Sequence, residues 1–523
     1  MKRLLFALVA IATGIAALVL ALPMLSPPVE ATAGKNVFVN PPKPIDANNS
    51  PSLIRNPILA GNLVMTHRVD RPGFTALLSS SLDNGTTWRV VTLPLPPGTP
   101  PCGASVDGTP CPFAPDAAFA PDGTLFISYV SLEGDGNVPG AVWVVTSKDG
   151  GQTLSAPVKV AGRLAFQVRV AVDAENRAHL TWLQVAEVGL LRVAGGPNPI
   201  VTSHASDDGQ TWSPPVPLSD AGRERVGAAT PAIDAQGRLV VLYYDYKGDR
   251  RDFEFLDGPP AEEPFTLVVT RSEDGGQTFS PGLEIETGVV ANKRFLVFLP
   301  EFPSLAAGPD GTMYAAWADG RNGDEDVFIR RSGDGGRTWG DAVRVNDNPL
   351  KDTTDQYLPQ VAVAPGGRVD VLYLDRRNDR TQNVLTDAYL SSSSDDGKSF
   401  RSERMSTQSF SSKVGPVVDD KLPIDFGSRI GLVSGEDLAI GAWTDSRLGS
   451  EETGRQDIAA AAAVMAPREA DRNRLLAVGA LLLVSLLSLV GWLVSGRRSG
   501  PRASGGEGRS RRGDREGKDE SVL

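Results

Sequence analysis

Histidine and cysteine are scarce in this chain, which has three His and two Cys among 523 residues. Transition-metal sites in proteins are built mainly from these ligands, so a multi-histidine metal site is excluded, and no metal or other cofactor is expected. Cys102 and Cys111 lie close together in a Pro/Gly-rich stretch. In an exported segment, such a pair predicts one disulfide that closes a surface loop. Metal binding by this pair is the weaker alternative, because no His or second Cys pair is nearby.

The amino terminus has the composition of an export signal. Lys2 and Arg3 precede an almost unbroken apolar run from Leu4 to Leu22. Residues 31–33, Ala-Thr-Ala, then form the small-x-small pattern that signal peptidase cleaves. We therefore predict that residues 1–33 are a signal peptide removed after Ala33. The apolar run is long for a signal peptide, so an uncleaved membrane anchor is the alternative.

A second apolar run, at residues 475–494, is about one bilayer long. Arg497 and Arg498 follow it directly, and basic residues on one side of a span favour the cytoplasm. We therefore expect a single-pass helix in the cell membrane. The folded domain at residues 34–466 is exported, residues 467–474 form a linker, and residues 495–523 form a disordered basic cytoplasmic tail.

Acidic residues outnumber basic ones in the exported part of the chain. Residues 34–474 contain 57 Asp/Glu and 42 Lys/Arg, a net charge of about −15. A negative surface repels phosphate backbones, which argues against nucleic acid as a partner. The expected partners are the membrane, through residues 475–494, and an extracellular glycan or protein.

A string of the form Ser-x-Asp-x-Gly-x-Thr-aromatic occurs six times, at spacings of 58 to 67 residues. Its aspartates are Asp83, Asp149, Asp207, Asp274, Asp334 and Asp395. Three copies differ slightly: Leu154 replaces the aromatic residue, Ala205 replaces the serine and Ser399 replaces the threonine. Glycine adopts positive φ, and Ser and Asp hydrogen-bond to the local backbone. The string therefore predicts a hairpin turn with the aromatic residue packed beneath it.

This string resembles the Asp box of the sialidase (BNR-repeat) superfamily, and the resemblance covers nearly all of residues 35–465. It implies an all-β fold, a β-propeller of four-stranded blades. In that family the boxes are folding elements on the outer hairpins, on the face away from the active site. The six box aspartates are therefore expected to be structural and not catalytic.

A second repeat precedes each box and consists of two short strands. The second strand ends in a residue with a ring side chain (His, Tyr or Trp). The aligned column reads His67, Tyr129, Trp182, Tyr243, Trp317, Tyr373 and Trp443. Seven units predict seven blades, and six blades with a decorated end are the alternative. The seventh unit lacks a fourth strand, which residues 36–39 can supply and so close the ring. We interpret the column as packing between blades, with an aromatic ligand platform as the alternative.

In units four to seven, an Asp lies two residues after the ring residue of this column, and a Lys or Arg lies two residues after that Asp. The pairs are Asp245 and Lys247, Asp319 and Arg321, Asp375 and Arg377, and Asp445 and Arg447; units one to three have Val69, Ser131 and Gln184 instead. The loop after strand two lies opposite the boxes, on the face where sialidase-family enzymes place their active site. These residues are therefore candidates for binding an anionic or hydroxyl-rich ligand, with the aspartates orienting the bases. The alternative is that each pair only fastens neighbouring blades together.

The segments that enter strand one share this face and add candidates for catalysis: Glu301, Asp355, Tyr357 and Asp425. The resemblance implies that an active sialidase grips its substrate carboxylate with three arginines and uses a tyrosine nucleophile paired with a glutamate. The family's Arg-Ile-Pro motif is missing. The nearest string is Ile-Arg-Asn-Pro at residues 54–57, where Arg55 falls at the box-side end of strand one. No catalytic residue is therefore assigned.

Two functions from different classes remain open. The first is a cell-surface binding module or scaffold that recognises a glycan or a protein. The second is a glycoside hydrolase of the exo-sialidase type. The missing Arg-Ile-Pro motif favours the binding module, and the sequence alone leaves open whether the chain is an enzyme.

Overall fold

Seven antiparallel sheets, each four strands deep, form a ring in the computed structural model of this protein. The structure describes residues 2–21, 29–97, 111–133, 138–186, 188–189, 192–193, 197–249, 263–290, 301–416, 426–467 and 469–497. The ring is a β-propeller, so the predicted fold and the seven-blade count are confirmed, and the six-blade alternative is wrong. Cys111 is disulfide-bonded. Cys102, Asp425 and the tail after Arg497 lie outside the described residues.

The helices and strands follow one another blade by blade. The chain begins with α1 (Lys2–Ala21), β1 (Val29–Ala33) and β2 (Val37–Phe38). Blade one contains β3 (Asn48–Arg55), β4 (Leu63–Val69), β5 (Thr75–Ser81) and β6 (Arg89–Thr92). Blade two contains β7 (Cys111–Phe119), β8 (Leu125–Glu133), β9 (Val138–Ser147) and β10 (Val158–Ala161). Blade three contains β11 (Ala165–Val172), β12 (Ala178–Gln184), the short hairpin β13 (Val188–Gly189) and β14 (Arg192–Val193), then β15 (Ile200–Asp207), β16 (Thr211–Trp212) and β17 (Val216–Pro217).

The second half of the chain continues the same order. Blade four contains β18 (Val226–Ile233), β19 (Leu239–Asp245), β20 (Phe265–Ser272) and β21 (Leu283–Val289). Blade five contains β22 (Ser304–Ala307), β23 (Met313–Asp319), β24 (Asp326–Ser332) and β25 (Val343–Arg344). Blade six contains β26 (Gln356–Val363), β27 (Val369–Asp375), β28 (Leu385–Ser393), β29 (Arg401–Arg404) and β30 (Phe410–Ser411). Blade seven contains β31 (Gly431–Ser434), β32 (Leu438–Asp445) and β33 (Asp457–Pro467), and α2 (Glu469–Arg497) follows it.

The amino-terminal segment supplies the outermost strand of blade seven. β1 and β2 both pair antiparallel with β33, with Val29 opposite Pro467 and Val37 opposite Ala460. A strand borrowed from the other end of the chain closes the ring, as the sequence predicted, and covers an edge that would otherwise be open. The strand is longer than expected, because it begins at Val29, within the segment assigned to the signal peptide.

The column of large rings is the internal packing of the propeller. Its seven members lie on the second strands of the seven blades, and each is 0 % exposed. Trp317 of blade five, for example, belongs to the same core cluster as Tyr243 and Val268 of blade four. Wholly buried rings cannot stack on a ligand, so the packing interpretation holds and the aromatic-platform alternative does not.

The two faces of the propeller differ in the length of their connections. The hairpins between strands three and four lie on one face, here called the box face, together with short turns such as that from Ala307 to Met313. The connections between strands two and three and those between blades lie on the other face, here called the loop face. They include the long connections from Asp245 to Phe265 and from Val289 to Ser304. Binding sites concentrate on long surface loops held by a rigid scaffold, so the loop face is the first place to look.

Outside the propeller, α1 and α2 form a second compact unit. Within α2, Leu476–Val494 is long and apolar enough to cross a membrane, by length and composition. It is the one helix of this kind in the described part of the chain. The apolar part described for α1, Leu5–Ala17, is shorter.

Candidate functional site

The Asp-x-base pairs lie on the loop face, where β19, β23, β27 and β32 end. Their carboxylates are buried: Asp245 is 7 % exposed, and Asp319, Asp375 and Asp445 are 0 % exposed. Each aspartate accepts a hydrogen bond from the backbone N–H two residues later, at distances from 2.7 to 3.0 Å. These aspartates therefore shape the turn that follows each second strand.

Asp445 shows how the side chains of a pair are arranged. Its Oδ2 accepts a hydrogen bond from the indole N–H of Trp443 at 3.1 Å. The guanidinium of Arg447 donates to the same carboxylate through Nε at 2.9 Å and through Nη2 at 2.5 Å. Asp319 likewise accepts from Trp317 at 3.2 Å and from Nε of Arg321 at 2.8 Å. Each arginine is thus paired with a carboxylate of its own blade, beside the buried ring of the column.

The same guanidinium groups also contact a neighbouring part of the ring. Nη2 of Arg321 lies 3.3 Å from Glu286 of β21, and Nη1 of Arg377 lies 2.6 Å from Asp347. Nη1 of Arg447 donates to the Thr407 hydroxyl at 2.8 Å. The side chains of Arg447, Arg377 and Arg321 are only 9 %, 15 % and 29 % exposed. The structure thus distributes the three arginines over three blade junctions, a geometry that favours the fastening interpretation.

The electrostatics of the Asp375–Arg377 pair agree with this arrangement. Burial raises the pKa of Asp375 above its ordinary value, although the hydrogen bond and charge of Arg377 oppose the shift. Burial alone would lower the pKa of Arg377, but Tyr373, Asp375 and Asp347 together raise it. The guanidinium also stands 4.3 Å from the centre of the Tyr389 ring. Arg377 therefore stays charged inside a complete set of partners.

In blades two to four, the side chains at and just after the end of the second strand make different contacts. Lys247 is exposed, and Asp245 instead pairs with Arg223 at 2.6 Å, from the segment that enters blade four. In blade three, Gln184 accepts from the Trp182 indole at 3.0 Å, and in blade two, Ser131 accepts from Trp143 at 3.3 Å. Blades two to seven therefore all place a hydrogen-bond acceptor for a nearby indole or guanidinium at this position. The Asp-x-Arg pattern itself occurs in blades five to seven. Arg223 was missed because its partner is distant in sequence.

The candidates for catalysis are engaged in local contacts. Tyr357 is 2 % exposed, and its phenol oxygen lies 3.3 Å from the Thr386 hydroxyl and 3.4 Å from Nη2 of Arg376. Asp355 accepts hydrogen bonds from the same arginine at 3.2 Å and from Asn383 at 2.7 Å. Arg376 also stands 4.9 Å from the centre of the Tyr357 ring. This arginine was not singled out from the sequence, yet it joins the tyrosine to the carboxylate.

Glu301 contributes to the electrostatic environment of Tyr244. Burial is the main reason that the pKa of Tyr244 lies well above its ordinary value, and the charges of Glu301, Asp319 and Glu325 raise it further. A tyrosine nucleophile needs a base that makes its phenol easier to ionise. Tyr244 has the opposite environment, since its phenol is harder to ionise.

The box segments lie in the hairpins between strands three and four, as the pattern predicts, and Asp207 ends β15. In the other five boxes a serine hydroxyl donates to the aspartate at 2.7 to 2.8 Å. A Thr or Ser hydroxyl four residues after the aspartate donates to its other oxygen at 2.5 to 2.7 Å. The Thr278 hydroxyl and amide lower the pKa of Asp274 to about 2. These bonds stay within one turn, which is consistent with a structural role.

A cluster of charges that the sequence did not reveal lies where the first strands meet at the centre of the ring. Arg169 of β11 lies 3.0 Å from Asp116 of β7, and Arg429, just before β31, lies 3.6 Å from the same carboxylate. Arg68 of β4 is paired nearby with Asp70 at 2.6 Å. The cluster joins four blades, so no local sequence motif could predict it. Within the described residues, no group of three or more His, Cys, Asp or Glu could hold a metal ion.

Comparisons with known proteins found similar solved structures but no matching family. No family model matches the chain, and no curated protein matches it. A solved structure of a protein of unknown function from Dyadobacter fermentans is 15 % identical, with a TM-score of 0.47 over 84 % of this chain and 99 % of that one. A polysaccharide (ulvan) lyase is 11 % identical, with a TM-score of 0.47 over 81 % of this chain and 95 % of its own. The Hadza microbial sialidase Hz136 is 17 % identical, with a TM-score of 0.40 over 69 % of this chain and 66 % of its own.

Proposed function

We propose that this chain is an exported, membrane-tethered propeller that binds a glycan or protein ligand on its loop face and does not hydrolyse glycosides. The observation that carries this proposal is that each arginine of the sequence-derived site is paired with a carboxylate of its own blade. A hydrolase of the sialidase type needs guanidinium groups that are open to the substrate carboxylate. The exo-sialidase alternative would need Arg321, Arg377 and Arg447 to leave these partners.

Exposed leucines on the loop face of blades six and seven support recognition of a partner surface. Leu350, Leu385 and Leu448 are 62 %, 44 % and 50 % exposed. Their loops are linked, because Asp355 N–H donates to Asn383 at 3.1 Å and the Ser446 hydroxyl donates to the Ser411 carbonyl at 2.7 Å. Ser411 is in turn the cross-strand partner of Leu385. Large apolar side chains grouped on functional loops favour a protein partner over a free sugar.

The charges that flank α2 support the membrane topology of this proposal. Arg497 and Arg498 at its carboxyl end favour the cytoplasmic side. The propeller precedes the helix in the chain, and we propose that it lies outside the cell. Its ligand is then an extracellular or cell-surface molecule.

The binding proposal is tested with the purified full chain in detergent. We expect no release of fluorophore from a sialic-acid conjugate, and we expect binding to a component of a glycan array or to a cell-surface protein fraction. Leu350→Asp and Leu448→Asp should each weaken that binding at least tenfold, because a buried charge would replace an apolar contact. The matched control is Leu82→Asp, since Leu82 is 55 % exposed on the box face.

Two results would contradict the proposal. The first is release of fluorophore that is lost in Tyr357→Phe, which would establish the hydrolase instead. The second is binding that Leu82→Asp weakens while the loop-face variants bind normally, which would place the ligand on the other face.

A further inference from the structure

A cavity of about 610 Å³ occupies the part of the central channel nearest the box face. Residues of the first strands line it, and its mouth includes the exposed Pro57 and Pro121 in turns of the box face. Asp116, Arg169 and Arg429 lie at its inner end, and the walls are as polar as they are apolar. A concave space of this volume with convergent charged groups has the size of a small-molecule site.

Contacts across the channel close the inner end of this cavity. Arg429 of blade seven donates to the Pro115 carbonyl of blade two. Arg169 of blade three stands 4.9 Å from the centre of the Phe302 ring, and the Phe302 N–H donates to the Ser428 carbonyl at 3.1 Å. A small pocket of about 20 Å³ lies beyond these contacts, towards the loop face. The cavity is therefore separate from the proposed binding surface.

The charges that line the cavity do not balance. Three guanidinium groups, those of Arg55, Arg169 and Arg429, face one carboxylate, Asp116. Arg429 is 7 % exposed, and its burial, together with the charge of Arg169, lowers its pKa to about 9. The nearby Arg68 adds no net charge, because Asp70 neutralises it. Uncompensated buried cations are costly, and an anion would offset that cost.

Several guanidinium nitrogens are also without a hydrogen-bond acceptor. Nε of Arg429, Nη1 of Arg169, and Nε and Nη2 of Arg55 have no partner among the residues that the structure describes. We infer that the cavity binds a small organic anion, whose carboxylate meets Arg169 and Arg429 and whose hydrocarbon part contacts apolar lining residues such as Leu53 and Val170. This site lies on the box side of the ring and does not depend on the proposed loop-face function.

The test is calorimetric titration of the full chain in detergent with benzoate and with its neutral isostere, benzamide. We expect benzoate to bind at least tenfold more tightly than benzamide. Arg169→Gln should weaken benzoate binding by about ten- to a hundredfold, the effect of losing one charge-assisted contact, and leave benzamide unchanged. Arg401→Gln is the control, because Arg401 is exposed on the outer strand β29.

Thermal unfolding of each variant shows whether it is folded. If Arg169→Gln does not fold, Arg55→Gln decides the question, because Arg55 lies nearer the mouth and should also weaken benzoate binding. Equal affinity for benzoate and benzamide overturns the inference. So does benzoate affinity that is unchanged in a folded arginine variant, or failure of the native chain to bind benzoate.

A second, independent observation concerns the amino-terminal helix. α1 runs antiparallel to α2, because the Ser485 hydroxyl donates to the Ala10 carbonyl at 3.0 Å while Phe6 packs beside Gly491. Ala17 of α1 is 2 % exposed. A signal peptide that is removed needs no such packing.

The strand that follows α1 is part of blade seven. The five residues of β1 pair with Ala463–Pro467, and Val29, Ala31 and Ala33 pack against the core of this blade. Cleavage after Ala33 would remove that strand and open the Ala463–Pro467 part of the β33 edge.

We propose that the amino-terminal segment is retained and that α1 and α2 form a two-helix membrane anchor. Because the helices are antiparallel, Lys2 and Arg3 lie at the same end of the pair as Arg497. Basic residues at one end of both helices favour the same cytoplasmic side for both. Without Lys2 and Arg3, α1 has 18 residues, about 27 Å of helix, which is close to the thickness of the hydrocarbon core.

Intact-mass measurement of the protein purified from membranes tests retention, and we expect residues 1–33 to be present. In the double variant Gly14→Cys with Ser485→Cys, oxidation should form a disulfide that links the two helical peptides. The reason is that a Cβ at Gly14 would lie 3.7 Å from Ser485 Oγ. The matched control is Gly14→Cys with Val494→Cys, at the far end of α2, which should not cross-link. A mature chain that begins at Gly34, or no Gly14–Ser485 link, overturns the proposal.

Discussion

Replacing Asp445 by alanine should lower the free energy of unfolding by about 3–5 kcal/mol, the usual cost of breaking a buried ion pair. The carboxylate is 0 % exposed, and the substitution removes the acceptor for the Trp443 indole, the Arg447 amide and the Arg447 guanidinium at once. The guanidinium, whose side chain is 9 % exposed, would remain buried without its main counter-ion. Denaturant unfolding of the full chain in detergent measures the change.

The matched control is Glu273→Ala. Glu273 pairs with Arg337 at 2.6 Å, but its side chain is 57 % exposed, so its loss should change stability by less than about 0.5 kcal/mol. Replacing both Asp445 and Arg447 by leucine should cost less than removing Asp445 alone, since no unpaired charge is left behind. A cost below about 1 kcal/mol for Asp445→Ala, together with loss of ligand binding, would instead support Arg447 as a binding residue.

The repeats predicted the architecture because all seven blades of a propeller pack against their neighbours in the same way. A ring at the same position of each second strand has to fill the same space between blades, so the column from His67 to Trp443 counted the blades even where a box was absent. The closing strand was also predictable, because blade seven had three strands and the only unassigned apolar segment lay at the amino terminus. The start of this strand at Val29 was not predictable, because the apolar run from Leu4 to Leu22 and the Ala-Thr-Ala pattern indicated a signal peptide instead.

The candidate site was less predictable, because its chemistry depends on contacts between distant residues. The sequence singled out Asp319, Asp375 and Asp445 but could not show that each would meet its own arginine inside the blade. Arg376 went unnoticed beside Arg377, although it is the arginine that contacts Tyr357. The central cluster of Asp116, Arg169 and Arg429 spans more than 300 positions of the sequence. Such a cluster becomes visible only when the ring is closed.

His67 is the exception within the buried column, and its replacement is the second large effect that we expect. Both ring nitrogens of His67 are buried and have no hydrogen-bond partner among the described residues. Burial lowers the pKa of His67 to about 4. In the unfolded chain His67 therefore binds a proton near pH 6.5, whereas in the folded chain it does so only near pH 4. Stability is unaffected above pH 6.5 and is lost as the pH falls between these values, by roughly 3 kcal/mol in all.

The variant His67→Phe should remove this loss, because phenylalanine fills a similar space without a titratable group. We expect it to be more stable than the native chain already at pH 7, since no polar atom is left unpaired. The difference in free energy of unfolding should then grow by roughly 3 kcal/mol between pH 7 and pH 4. Comparing variant with native chain at each pH cancels the titration of the carboxylates. His204→Gln is the control. The His204 ring is 3.2 Å from the Ser213 hydroxyl and only partly buried, and burial lowers its pKa, so its curve should diverge from the native one in the same direction but by less. A constant difference between His67→Phe and the native chain from pH 7 to pH 4 would show that His67 can be protonated inside the folded ring, and hence that an acceptor reaches it there.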